Sequence, residues 1–425
     1  MPLTRCPARA LNLLVLALLC FLCPPARATQ DLASSIHAAA AHLHSSIAPD
    51  GRLRYRQHAL TGQIIEGRYN VLRHAGSLLA LAEYHQTHAP SLAQIEAIDS
   101  AFGFLRNCCL APAGVGDETD DRLAVWSPPE LVGGSRRYAV AKLGGAGLTL
   151  AALVQWRLVR PEAVAMEEMR ALARFIVSQQ RADGGFRSLH AHRSGQHDPH
   201  WESLYYPGEA ALGLVLLHEL DRSGGWLVPA MDALRYLARQ REGQASQAPD
   251  HWALIATARL FAQPATDLQQ ALPPGFSWEH APGHGHVAVK ALLQVHAQAV
   301  VRHMLGEQGP PTEACAIGAF TTDGRTTPTA TRLEGLVAIA PWLPRATERD
   351  AAEHQAVVDA VAAGVTFLRA AQLASGLARG GFSRVSPRCP TTDVRAHEVR
   401  VDQTQHALSA LLGHRALLKT GAGAP

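Results

Sequence analysis

The stretch Tyr205–Leu220, YYPGEAALGLVLLHEL, opens on aromatic and turn-forming residues, passes one acidic side chain at Glu209, and then runs apolar on every face. A helix that is apolar all round is buried on all sides, so this one belongs inside a helical assembly. The same pattern recurs: YNVLRHAGSLLALAEYH from Tyr69, KLGGAGLTLAALVQW from Lys142, DHWALIATARLF from Asp250, TRLEGLVAIAPWL from Thr331 and VDQTQHALSALLGH from Val401, with a weaker copy, VAVKALLQVHAQAV, from Val287. The starts lie about 40 to 70 residues apart, room for one helix out, one helix back and a loop. Between them run helices of another kind. In MEEMRALARFIVSQQ, Met166 to Gln180, residues Met169, Leu172, Ile176 and Val177 share one stripe, while Glu167, Arg170 and Arg174 fall largely elsewhere. A one-striped helix lies outside, with its polar side in water. Alternation of the two kinds predicts an all-α chain of about six or seven hairpins, an inner ring of helices wrapped by an outer one. Alternating runs rich in valine and threonine are scarce, which argues against a β architecture.

The segment Phe175-Ile176-Val177-Ser178-Gln179-Gln180-Arg181-Ala182-Asp183-Gly184-Gly185-Phe186 resembles the repeat of the squalene-cyclase and protein-prenyltransferase superfamily, in which an outer helix ends in a glutamine and a Gly-Gly-aromatic turn. A looser copy runs from Phe367 through Gln372 to Gly380-Gly381-Phe382. The resemblance implies an (α/α) toroid over most of residues 30 to 418, an architecture also used by polysaccharide lyases and glycosidases. Fold alone names no reaction.

Arg5 and Arg9 precede an unbroken apolar run of about 13 residues, Leu11 to Cys23, and then Pro24, Pro25 and the small-residue triplet Ala26-Arg27-Ala28. This reads as a secretory leader cleaved after Ala28, because the run is short of the roughly 20 residues needed to cross a bilayer. Residues 1–28 are thus expected to be removed, leaving a single toroid domain over 29–425 that works in the periplasm or outside the cell, with no stable membrane span. Neither Cys20 nor Cys23 follows a small residue, which argues against a lipid anchor. Export leaves four of the seven cysteines, Cys108, Cys109, Cys315 and Cys389, in an oxidising compartment. The simplest pairing is Cys315 with Cys389, since adjacent Cys108 and Cys109 would close a strained ring with each other. The net charge is only +3, and dense basic tracts are missing, so nucleic acid is not an expected partner.

In a ring whose inner helices run parallel, the helix starts gather at one mouth. Their exposed N–H groups and positive ends make that mouth a natural anion site. The residues collected there are Glu209, Asp250, Glu334, Asp402 and His74 as candidate acids and bases, with Tyr69, Arg73, Tyr206, His251, Arg332 and His406 as candidate substrate contacts and Lys142 beside them. Each also has an ordinary structural reading: Asp250 and Asp402 as N-caps, Glu209 as a helix-dipole partner, Glu334 as an ion-pair partner of Arg332, and His74, His251 and His406 as satisfied core histidines. Glu209 is the favoured carboxylate, because a partly apolar setting raises a carboxyl toward general-acid work and Tyr205 and Tyr206 could stack on a sugar. No cofactor is expected. The 22 histidines include dense stretches at His190–His200 and His280–His286, but these lie in glycine- and proline-rich loops, and no metal site is assigned. The run Asp117-Glu118-Thr119-Asp120-Asp121 faintly resembles the acidic motif of class II terpene cyclases, with Glu118 where that pattern begins on aspartate. It reads as a surface acidic loop.

These residues point to an exported carbohydrate-active enzyme with a polysaccharide or another small polar ligand as its partner. Hydrolysis needs two opposed carboxyl groups. Lyase or epimerase chemistry on a uronic acid needs a cation such as Arg73 or Arg332 and a proton-abstracting histidine or tyrosine. Both sets are present. A non-catalytic glycan- or peptide-binding protein of envelope or exopolysaccharide assembly is the alternative, and a metalloprotein using the histidine loops is a third.

Overall fold

A computed structural model describes residues 26–114, 120–133, 138–191, 201–244, 247–279, 287–308 and 313–421. The first 25 residues of the expected leader therefore lie outside the described residues, as do His192, His197, His200, His280, His284, His286 and the first three residues of the acidic run, Asp117 to Thr119.

Among the described residues fourteen α-helices follow in chain order. They are α1 (Ala26–Ser46), α2 (Val71–His85), α3 (Leu92–Cys108), α4 (Pro129–Val132), α5 (Leu143–Val159), α6 (Met166–Ser178) and α7 (Tyr206–Leu220). They continue as α8 (Leu227–Arg241), α9 (His251–Phe261), α10 (Ala265–Gln270), α11 (Val289–Glu307), α12 (Thr326–Ile339), α13 (Glu348–Ala371) and α14 (Val401–Lys419). Packing closes six of them into a ring: α2 on α5, α5 on α7, α7 on α9, α9 on α12, α12 on α14 and α14 back on α2. The outer ring is α1, α3, α6, α8, α11 and α13. The first outer helix packs on the last inner one, so the two ends of the chain close the circle. The chain has the (α/α) toroid fold.

The apolar-all-round rule chooses the inner helices. Every residue of α5 from Leu143 to Trp156 is buried, as is every residue of α7 from Pro207 to His218. Burying one such leucine is worth roughly 2 kcal/mol. Close approach of these two helices depends on glycine. A Cβ at Gly147 would stand 2.5 Å from the backbone oxygen of Glu209, and one at Gly213 would stand 2.7 Å from that of Gly147. In α6 the buried stripe is Met169, Leu172, Phe175 and Ile176, with Val177 turned outward. The weak start at Val287 introduces α11, an outer helix, so the ring has six hairpins. The fifth inner helix begins at Thr326, five residues before the start read from sequence, because Thr326 Oγ1 and its backbone N–H are held by residues 383 and 384.

The glutamine motif has a visible purpose. Gln180 Nε2 donates to Gly184 O at 3.0 Å and to Pro229 O of α8 at 2.8 Å. Gln372 Nε2 does the same with Gly380 O at 3.0 Å and Ser35 O of α1 at 2.9 Å. Each glutamine ties the turn after one outer helix to the next outer helix, and Phe186 or Phe382 plugs the core beneath it. Gln308 repeats the clamp on Gly318 O and Ala360 O, a third copy that sequence reading missed. Cys315 pairs with Cys389 as expected. Cys108 bonds to Cys109, contrary to expectation.

Candidate active site

The N-terminal ends of the inner helices meet at one mouth around a cavity of about 400 Å³. Arg73 of α2, Tyr205 at the N-cap of α7 and Glu209 within it, His251 of α9, Arg325 at the N-cap of α12, and Asp402 and His406 of α14 all line it. A separate, mainly apolar cavity of about 690 Å³ lies among the C-terminal halves of the same helices, with Trp252 touching both. Glu334, Glu83 and Arg259 are among the residues lining this second cavity.

At its floor two imidazoles face each other, His251 and His406, with ring centroids 5.5 Å apart and planes at 74°. Glu334 stands behind them. Its Oε2 lies 2.7 Å from His406 Nδ1 and 3.7 Å from His251 Nε2. Burial alone would lower the His406 imidazole, but the carboxylates of Glu334 and Asp402 outweigh it and hold the ring above its ordinary range. His251 is driven the other way, well below its ordinary value, by burial and by the charges of His406 and Arg332. Neither ring nitrogen of His251 has a hydrogen-bond partner among the described residues. The pair is thus one imidazole biased to hold a proton and one biased to be without it. Opposite biases on neighbouring titratable groups are the signature of an acid and a base.

Around this floor stand Arg73, Arg325, Arg332, Arg384 and Arg400. Asp402 is shared by two of them, at 3.0 Å from Arg73 Nε and 2.9 Å from Arg400 Nη2. Burial would raise its carboxyl, but the two guanidinium groups hold it below its ordinary range. Arg332 forms a two-pronged pair with Glu307 at 2.8 and 3.0 Å. The antiparallel pairing of Arg56–His58 with Glu398–Arg400 sets Arg400 at the edge of the mouth. Glu209 is different. It is buried, its Oε2 has no partner among the described residues, and burial together with the charge of Asp250 pushes its carboxyl up to about 8. Gly144 makes its room, since a Cβ there would fall 1.9 Å from that oxygen.

Of the residues expected at the mouth, Arg73, Tyr206, Glu209, His251, Arg332, Asp402 and His406 line the cavity, and Glu334 reaches it through His406. Tyr69, His74 and Asp250 do not line it. Leu53 N–H donates to Tyr69 Oη at 3.1 Å, Tyr69 O–H reaches His74 Nδ1 at 2.6 Å, and His74 Nε2 reaches Ala101 O at 3.0 Å. This chain of bonds fixes His74 as a neutral core histidine stacked on Phe104, its pKa lowered to about 4 by burial. Asp250 caps α9 through Ala253 N at 3.1 Å and pairs with Arg241 at 2.7 Å, facing the outer ring. Tyr205, read from sequence as a stacking residue beside Tyr206, lines the cavity as well, whereas sequence reading missed Arg325, Arg384 and Arg400. Arg400 immediately precedes the start at Val401 and was within reach of the same argument. Arg384 lies between helices, where periodicity carries no signal.

His251, Glu334 and His406 are also the one described group of three side chains whose donor atoms, all within 4.8 Å, could hold a metal ion. The chemistry around them disfavours a dication: Arg332 already acts on His251, and Glu334 and His406 satisfy each other at hydrogen-bond distance.

No protein-family model matches the chain, and no curated protein matches it in sequence. Solved structures do. A D-mannose isomerase aligns over 92% of this chain and 97% of its own at 10% identity, with a TM-score of 0.59. The cellobiose 2-epimerase of Spirochaeta thermophila DSM 6192 aligns over 92% and 98% at 14% identity and a TM-score of 0.58. The GH76A α-1,6-mannanase of Salegentibacter sp. HEL1_6 aligns over 91% and 99% at 11% identity and a TM-score of 0.54. At such identities the likeness is one of fold, and the fold is that of the (α/α) toroids.

Proposed function

We propose that this chain is an exported carbohydrate-active enzyme that moves a proton at the carbon beside a sugar carbonyl, as an isomerase or epimerase. The observation that carries this is the His251–His406 pair, two facing imidazoles biased to opposite protonation states over a buried glutamate. Neutral His251 takes the proton from the carbon next to the carbonyl. The electron pair of that C–H bond moves into the chain of the sugar, and the carbonyl oxygen takes a proton from His406, giving an enediol. Returning the carbon-bound proton to the neighbouring carbon, while the C2 hydroxyl gives its proton to the now neutral His406, isomerises the sugar; returning it to the other face of the same carbon, while the C1 hydroxyl gives its proton back to His406, inverts it. Arg332, a cation of the cavity lining, steadies the developing negative oxygen, and Glu209, its carboxyl raised by burial, offers a hydrogen bond to a sugar hydroxyl. Hydrolysis is the weaker reading, because the ionised carboxylate of the mouth, Asp402, is tied between two guanidinium groups.

Two of the structural neighbours bear the names of a mannose isomerase and a cellobiose epimerase, which agrees with this chemistry. The basic, then apolar, then small-residue opening supports export to the periplasm or beyond. No helix of the described residues is long and apolar enough to cross a membrane.

The test is to incubate the mature protein with reducing sugars in D2O and follow the proton at C2 by NMR. Loss of that signal is expected, slowed about 10²- to 10⁴-fold in His251→Asn and in His406→Asn. Release of new reducing ends from a glycan, without exchange at C2, would refute the reading in favour of hydrolysis.

A further inference from the structure

Helix N-termini favour acidic side chains and disfavour basic ones. Arginine nonetheless stands at three of the six inner-helix starts, while α7 and α14 carry Glu209 and Asp402 in their first turns. Arg325 and Arg400 occupy the N-cap positions of α12 and α14, and Arg73 lies in the first turn of α2. Helices α2, α5, α9 and α12 have no acidic residue in their first turns. The helix dipoles gain nothing from these cations, and all three side chains line the cavity.

The lining is one-sided in charge. Five guanidinium groups face a single ionised carboxylate, Asp402, because Glu209 is neutral at ordinary pH. The other carboxylates paired with these arginines, Glu307, Asp323, Asp393 and Glu398, stand outside the lining. They fix the guanidinium groups in place from behind. A fully buried and unpartnered imidazole, His251, opens into the same space. Planar guanidinium forks match carboxylate, sulfate and phosphate oxygens.

We infer that the mouth selects an anionic sugar, one carrying a carboxylate, sulfate or phosphate group, which the arginine ring holds while the histidines work on the carbon beside the carbonyl. The inference rests on the proton-transfer reading for the reaction but not for the binding.

Calorimetric titration of the mature protein with glucose, glucuronate, glucose 6-sulfate and glucose 6-phosphate tests it, and the last three arms identify the anion. At least one anionic sugar is expected to bind tenfold or more tightly than glucose, with the advantage shrinking at high salt. Arg325→Gln and Arg384→Gln should each weaken that anionic sugar about tenfold and glucose by much less. Arg325→Gln should keep or raise Tm, since it removes a cation from a helix N-terminus, so lost binding in a stable variant excludes misfolding. Equal affinity for glucose and all three anions, or anion affinity untouched by both variants, overturns the inference. Proton exchange on neutral sugars without anion preference would overturn the selectivity alone, whereas arginine-dependent anion binding without exchange on any sugar would overturn the proton-transfer reading alone.

Discussion

Replacing Glu209 by Gln should stabilise the protein in alkaline solution and leave it unchanged in acid. In the native chain burial, with the charge of Asp250, raises this carboxyl from an ordinary 4.5 to about 8. Each unit of that gap is worth about 1.4 kcal/mol, so ionising the buried group costs up to about 5 kcal/mol. The sign follows from proton counting. Between pH 4.5 and 8 the folded chain keeps a proton that the unfolded chain has released, so stability falls as pH rises through that window and levels off above it. The carboxamide has nearly the same shape and no charge, and its stability lacks this fall. With an unfolding entropy near 2.1 cal/mol/K per residue, about 400 residues make 1 kcal/mol equivalent to about 1.2 °C. Between pH 5 and pH 9 the native protein should therefore lose about 5 °C of Tm that the variant retains. Scanning calorimetry of both proteins at half-unit steps measures this directly. Parallel curves across the whole range would refute the reasoning, because they would mean that Glu209 is ionised in the folded state at no cost.

Glu334→Gln removes the charge that holds the His406 imidazole up, so the alkaline fall of kcat/KM, where the protonated ring is lost, should move to lower pH; a fall that stays in place would disconnect the two residues. Gly147→Ala puts a Cβ 2.5 Å from the backbone oxygen of Glu209 and should cost about 1–3 kcal/mol, read as a lower denaturant midpoint with an unchanged slope. Replacing Cys315 and Cys389 together by serine opens a loop of 74 residues' separation, and the loss should be about 4 kcal/mol in non-reducing equilibrium unfolding.

The inner ring was legible in sequence because burial on all sides leaves no polar face. The run from Leu143 to Trp156 admits no other reading. The clamp was legible at Gln180 and Gln372, where Gly-Gly-Phe follows, and hidden at Gln308, where the turn is Gly318-Ala319-Phe320 and only the first glycine adopts positive φ. That first glycine is the one the clamp requires, since a Cβ at Gly318 would lie 2.3 Å from Ala363 O, and the second position tolerates alanine. The motif as read from sequence was stricter than the physics.

The same distinction separates the candidate residues that reach the cavity from those that do not. Nearness to a helix start brings a side chain to the right end of the ring but leaves open which way it turns, since each residue advances about 100° around the axis. His74, fourth in α2, turns outward onto Ala101 and Phe104 of α3, and its two nitrogens are consumed there. Asp250 turns outward to Arg241 of α8, while the very next residue, His251, turns inward. Within α14 the axis-facing set is Asp402, Gln405 and His406, spaced three and four apart as a single helical face demands. Had spacing been weighed together with nearness to the start, the pair Asp402 and His406 would have stood out as co-facing. No property of sequence alone, however, orients one helix about its axis relative to another. That orientation is set by the packing of rings through Gly147, Gly213 and the buried leucines, which is why the chemistry of the mouth becomes readable only once the ring is closed.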